Sequence, residues 1–141
     1  MCESWISAFV FLEAKRVDAD FGTHVVATDQ SVEHGGEGTE PEPFDLFLAS
    51  IGTCAGLYVL GFCQARGIST EAIQILQRND FDTDTHVLKG VELQIVLPPT
   101  FPEKYRVAIV RAAEGCKVRK ALATQPVVTV TSKIASGKTA A

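Results

Sequence analysis

At 141 residues and 15.2 kDa the chain is long enough for one domain with its own core and too short for two. Hydrophobic residues make up 46% and charged residues 21%, which excludes a wholly disordered chain. A net charge of −4 and a pI near 5.3 set nucleic acid aside as a partner. Four cysteines are too sparse for a disulfide scaffold, and no basic and apolar leader opens the sequence, so a cytoplasmic setting with free thiols is expected.

Trp5 to Leu12 is aromatic and β-branched and predicts a strand, and Thr23 to Thr28 predicts a second. A polar loop with Gly35, Gly36 and Gly38 runs into Glu40-Pro41-Glu42-Pro43, whose prolines suit the first turn of a helix. From Phe44 to Arg66 the sequence is almost wholly apolar, interrupted by Asp45, Ser50, Thr53 and Gln64. Such a helix is expected to be buried on every side, with Gly67 as its left-handed stop. Ile73 and Ile75, then Val91, Leu93, Ile95 and Leu97, alternate with polar residues and predict two half-buried strands. After Pro98, Pro99 and Pro102, the residues Tyr105, Ala108, Ile109, Ala112, Ala113 and Cys116 form one helical stripe with a bend at Gly115. Val127 to Ile134 predicts a last strand, and Ser136 to Ala141 a loose tail. There is no internal repeat. This order predicts an α+β fold with mostly antiparallel sheet, in one domain. One layer of strands covers only part of so apolar a helix, which points to a second chain.

Leu46 to Cys63 runs for eighteen residues without a charge, the length of a membrane span, and carries Gly52-x-x-x-Gly56, a spacing that lets helices approach closely. Asp45 and Arg66 bracket it tightly, and three glycines, Ser50 and Thr53 interrupt it, so a soluble dimer is favoured over a membrane span. Cys54 lies between Gly52 and Gly56, where small neighbours leave room for a substrate or a second sulfur. Cys116 has Lys117, Arg119 and Lys120 after it and Arg111 before it, and cations and a helix start favour thiolate. Cys63, half a circle around the helix from Cys54, is expected in the core, and Cys2 is incidental. His24, His34 and His86 have no metal spacing, so no metal is expected. Gly137-Lys138-Thr139 resembles the end of a phosphate loop, but Ser132 stands where its first glycine belongs.

Pro43-Phe-Asp-Leu-Phe-Leu-Ala-Ser-Ile-Gly-Thr-Cys54, then Gly56 and a helix closing at Gly67-Ile68, resembles the first signature of the OsmC/Ohr family, in its OsmC-like branch. Ala113-Glu-Gly-Cys116-Lys-Val118 is similar to the second, with lysine in place of proline. The resemblance implies an intertwined homodimer with the long helices at its centre. It also implies reduction of organic hydroperoxides without a cofactor, with Cys54 peroxidatic, Cys116 resolving and an external dithiol as reductant. Phe47, Tyr58 and Phe62 would form an apolar substrate pocket favouring fatty hydroperoxides. The family's glutamate ten residues before the first cysteine is replaced by Phe44. Glu42 matches only with two residues inserted, and Arg16, beside Lys15, is the sole arginine available to pair with the thiolate. The alternative is a non-catalytic dimer that senses thiols or persulfides or binds an apolar ligand.

Overall fold

The computed structural model of the chain describes residues 8–137, so Trp5 to Ser7, Cys2 and most of the expected tail lie outside the described residues. Three short strands come first: β1 (Ala8–Phe11), β2 (Val17–Asp20) and β3 (Val25–Val26), antiparallel and in that spatial order. Nothing in the sequence predicts β2, because Asp18 and Asp20 are poor strand formers. Asp18 is nevertheless buried, accepts the Thr28 backbone N–H at 3.3 Å and pairs with Arg16 at 3.3 Å. The expected strand over 23–28 shrinks to two residues. Phe21 to His24 is a tight turn with Gly22 at φ +83°, and the Thr28 hydroxyl turns to the Val17 carbonyl.

Asp29 organises the connection to the long helix. It is fully buried, and its carboxylate accepts the backbone N–H groups of Gln30 (2.7 Å), Glu37 (3.2 Å) and Thr39 (3.1 Å) and the Thr39 hydroxyl (3.0 Å). The loop closes so tightly that a Cβ on Gly36 would sit 2.0 Å from the Gln30 carbonyl oxygen.

The long helix α1 (Pro43–Gln64) begins with proline at its first position, where a missing N–H costs nothing. It ends before Gly67, whose φ of +63° stops it as expected. Its buried residues are Ile51, Ala55, Val59 and Cys63, one every fourth position. Burial on every side is therefore not met within one chain: the face carrying Leu57 and Leu60 stays exposed. Gly52 and Gly56 do not meet a second helix. They face the next strand, where a Cβ on Gly52 would lie 2.7 Å from Gln77 Oε1 and one on Gly56 3.6 Å from Ile75 Cδ1.

Strands β4 (Gln74–Phe81) and β5 (Leu88–Val96) form an antiparallel hairpin with alternating burial, as the sequence predicts. Their inner side chains, with Phe62, Ile68 and Leu97, surround a core of Val59, Cys63, Phe101 and Ile109. By length and composition α1 is long and apolar enough to cross a membrane, and its buried stripe packs on this core of an α+β fold.

After a 3-10 turn (Glu103–Tyr105), the single helix expected through Cys116 divides at Gly115 into α2 (Arg106–Glu114) and α3 (Lys117–Ala123). The strand expected over 127–134 is not formed. Val127, Val128, Val130 and Ile134 are all more than four-fifths exposed. A strand needs another strand's edge to satisfy its backbone, and no strand among the described residues pairs with this segment.

Gly36→Ala, which forces its Cβ into the Gln30 backbone, should lower unfolding stability by roughly 1–3 kcal/mol in urea titrations. Gly61→Ala, where a Cβ meets nothing within 4 Å, should instead hold or raise it, as a helical alanine is favoured by about 1 kcal/mol.

Candidate active site

Cys54 and Cys116 are 62 residues apart in sequence and come together where α1 meets the α2–α3 junction. Cys54 projects from the side of α1 away from the Gly52–Gly56 pair, at roughly 100° per residue around the helix. Gly115 ends α2, and the chain straightens at Cys116 (φ −65°, ψ 145°), which caps α3 by accepting the Arg119 backbone N–H on its sulfur at 3.3 Å. The first N–H groups of a helix have no acceptor within it. Here those of Val118 and Lys117 lie near Cys54 and lower its pKa.

These contacts set the acidity of Cys54. The Val118 N–H lowers its pKa most, partial burial opposes this, and the Cys116 thiol, the Lys117 N–H and the Lys117 ammonium lower it further. Each donor favours the anion. Cys54 is half-buried and Cys116 is 1% exposed, so a reagent from solution meets Cys54 first. Cys63 is a different thiol: fully buried in the core, its pKa is pushed up by burial.

Two concavities flank the pair. A cleft of about 860 Å³ separates the β4–β5 hairpin from α2 and α3, with Cys116, Ile51, Ala55, Leu93 and Val110 in its wall. One turn beyond Cys54 lies an open apolar trough of about 370 Å³, lined by Leu57, Tyr58, Gly61, Phe62 and Ala112. Two of the three expected pocket residues, Tyr58 and Phe62, thus line one trough. Phe47 lies outside it, stacked on Phe44 with centroids 5.4 Å apart.

Arg16 and Glu42 lie elsewhere. Arg16 pairs with Asp18, its buried Nε has no partner among the described residues, and the cation acting on Cys54 is Lys117. Glu42 precedes α1, about 18 Å along the helix from Cys54 at 1.5 Å per residue. Its carboxylate binds Ser31 N–H at 2.9 Å and His34 Nδ1 at 3.0 Å. The Ser31 hydroxyl first, then His34, lowers its pKa to about 2, and Glu42 in turn raises that of His34. It holds the entrance of the helix. The backbone donors at 117 and 118 were hidden in the sequence, where Gly115 followed by a basic run was their signal. Among the described residues no group of three or more His, Cys, Asp or Glu could hold a metal ion.

A family model described as "OsmC-like protein" matches residues 36–131. The chain is similar in structure to an osmotic stress induced and detoxification response protein from Psychrobacter arcticus 273-4, at TM-score 0.70 and 18% identity, covering 86% of this chain and 90% of that one. An organic hydroperoxide resistance protein OsmC from Legionella pneumophila overlaps at TM-score 0.48 and 21% identity, covering 84% and 90%. No curated protein sequence matches.

The rate of Cys54 alkylation by iodoacetamide should rise with pH through a midpoint below the ordinary thiol value of about 8.5, because the thiolate reacts. Cys116→Ala and Lys117→Gln should each move that midpoint upward, read by peptide mass spectrometry, while Cys63 stays unlabelled in the folded protein.

Proposed function

Because the chain belongs to the OsmC-like family, we propose that it is a cofactor-free, two-cysteine peroxidase of organic hydroperoxides working in the cytoplasm. One observation carries the reading: the half-buried Cys54 thiol lies close enough to the buried Cys116 thiol and to the start of α3 for them to lower its pKa. The Cys54 thiolate attacks the terminal peroxide oxygen, so that an S–O bond forms, the O–O bond breaks and the alkoxide leaves as an alcohol after taking a proton. The resulting sulfenic acid condenses with the Cys116 thiol, forming a disulfide and releasing water. An external dithiol returns both sulfurs to thiols. Backbone donors pre-aimed at Cys54 favour its anion without any reorganisation.

A second copy of the chain completes this reading. The Ser50 and Thr53 hydroxyls bond back to carbonyls of their own helix, leaving the Leu57–Leu60 face of α1 with little polar demand. Phe9 and Phe11 on β1 and Val127 to Val130 are exposed as well. So much uncovered apolar surface belongs in an interface. Sedimentation should give twice the chain mass, and Leu57→Lys should yield monomer.

Reduced protein mixed with cumene hydroperoxide should consume one equivalent of peroxide per chain and link Cys54 to Cys116, as read by peptide mapping. Cys54→Ser should abolish the reaction, whereas Cys116→Ser should stop at a sulfenic acid that dimedone traps. Thiols that titrate unchanged would overturn the peroxidase reading, and extra sulfur on freshly purified Cys54 would favour a persulfide sensor instead.

A further inference from the structure

We propose that Gln77 is the positioning residue that sets the rotation of α1 and so holds Cys54 facing Cys116. This rests on the two-thiol reading and deepens it. Along β4 the side chains turned inward are Ile75, Gln77 and Asn79, all half-buried. Alternation against so apolar a helix calls for hydrocarbon at each of these positions, and two of the three are amides. A polar group held between a strand and a helix costs stability unless its hydrogen bonds are made. Those of the Gln77 amide are made. Its Nε2 donates to the Leu48 carbonyl at 3.0 Å and to Asn79 Oδ1 at 2.9 Å, which uses both hydrogens. Its Oε1 rests in the notch left by Gly52, where a Cβ would be 2.7 Å away, against 3.6 Å between a Cβ on Gly56 and Ile75. The Leu48 bond and the Gly52 notch lie one turn apart on α1, so a single side chain grips the helix at two heights.

The grip matters because apolar packing alone fixes the rotation loosely. Ile51, Ala55, Val59 and Cys63 bury a stripe that repeats every fourth residue, and hydrophobic contact is non-directional. Shifting a helix by one residue turns it about 100° and slides it about 1.5 Å. A hydrogen bond tolerates far less. Gln77 is itself held in register, opposite Leu93 in the paired strands, so it is a fixed key and α1 the part it locks. Cys54 stands two residues past Gly52, about 200° around the helix. With Gly52 seated on β4, Cys54 is turned toward the α2–α3 junction and Cys116. The closing step needs this aim. Two sulfurs must approach to about 2.05 Å to form a disulfide, and a misplacement of about 1 Å can cost about a hundredfold in rate. Gln77 acts through the helix, from the side of α1 that carries Gly52.

The test treats the full chain, in a Cys2→Ser background, with 4,4′-dithiodipyridine and follows thiopyridone by absorbance. The Cys54 thiolate attacks the reagent, forming a mixed disulfide and releasing one thiopyridone. The Cys116 thiol then attacks the Cys54 sulfur, closes the Cys54–Cys116 bond and releases the second, so that the reagent takes up both electrons and both protons. Cys63, sealed in the core, stays silent. Gln77→Met keeps the length and loses the donors, and should slow the second phase about tenfold, as for a displacement of a fraction of an ångström. Gln77→Glu should slow it as much near pH 7, where a carboxylate faces the Leu48 carbonyl. That deficit should shrink as pH falls through about 4.3, the ordinary glutamate value, because the protonated carboxyl donates again. A second phase as fast as that of Gln77 protein in both variants would overturn the assignment. So would a lowered urea midpoint with an unchanged second phase, the mark of a merely structural glutamine. Should Gln77→Met fail to fold, Gln77→Glu decides, and a deficit that ignores pH sinks the proposal. Both phases with their Gln77 dependence, beside cumene hydroperoxide left intact, would sink the peroxidase reading and leave the positioning role standing.

Discussion

The site depends on one break in a helix. Had α2 continued past Gly115, the N–H groups of Lys117 and Val118 would be spent on carbonyls one turn back. Because the chain straightens at Cys116, they are freed to act on Cys54, whose pKa they lower together with the Cys116 thiol. Polarity and proximity therefore arise in one step. The turn that brings the second sulfur close also supplies the donors that favour the first as an anion, and Lys117 adds its charge from the same turn. On the opposite side of α1, Gly52 and Gly56 let the helix settle onto β4, which keeps Cys54 turned toward the break.

The elements most legible in the sequence are those with strong periodicity and clear stops. The helix over 43–64 announced itself by a mostly apolar run between prolines and Gly67, and the β4–β5 hairpin by alternation from Ile73 to Leu97. β2 was illegible because Asp18 serves Thr28, ten residues on, and Asp20 caps the turn at Gly22, so neither follows a strand pattern. The split of the last helix was half visible, as a bend at Gly115, but α3 reads as a basic run with little apolar rhythm. At the site, the resemblance paired Cys54 with Cys116; no spacing rule could do so across 62 residues.

Three cysteines of one chain occupy three chemical environments. Cys63 is sealed in hydrocarbon and resists ionisation, Cys54 is half-buried among groups that lower its pKa, and Cys116 is sealed from solvent but near enough to be one of them. Fold and candidate site share a helix: Ile51, Ala55, Val59 and Cys63 anchor α1 in the core, and the neighbouring ridge carries Cys54.

The segment after α3 has a consequence for how the protein is made. From Pro126 to Ser132 it is uncharged, rich in valine and threonine, and exposed along its length. Such a stretch pairs readily with any open strand edge it meets, including those of identical chains in the wrong register. Left uncovered, that ribbon is a hazard for aggregation from the moment the chain is made.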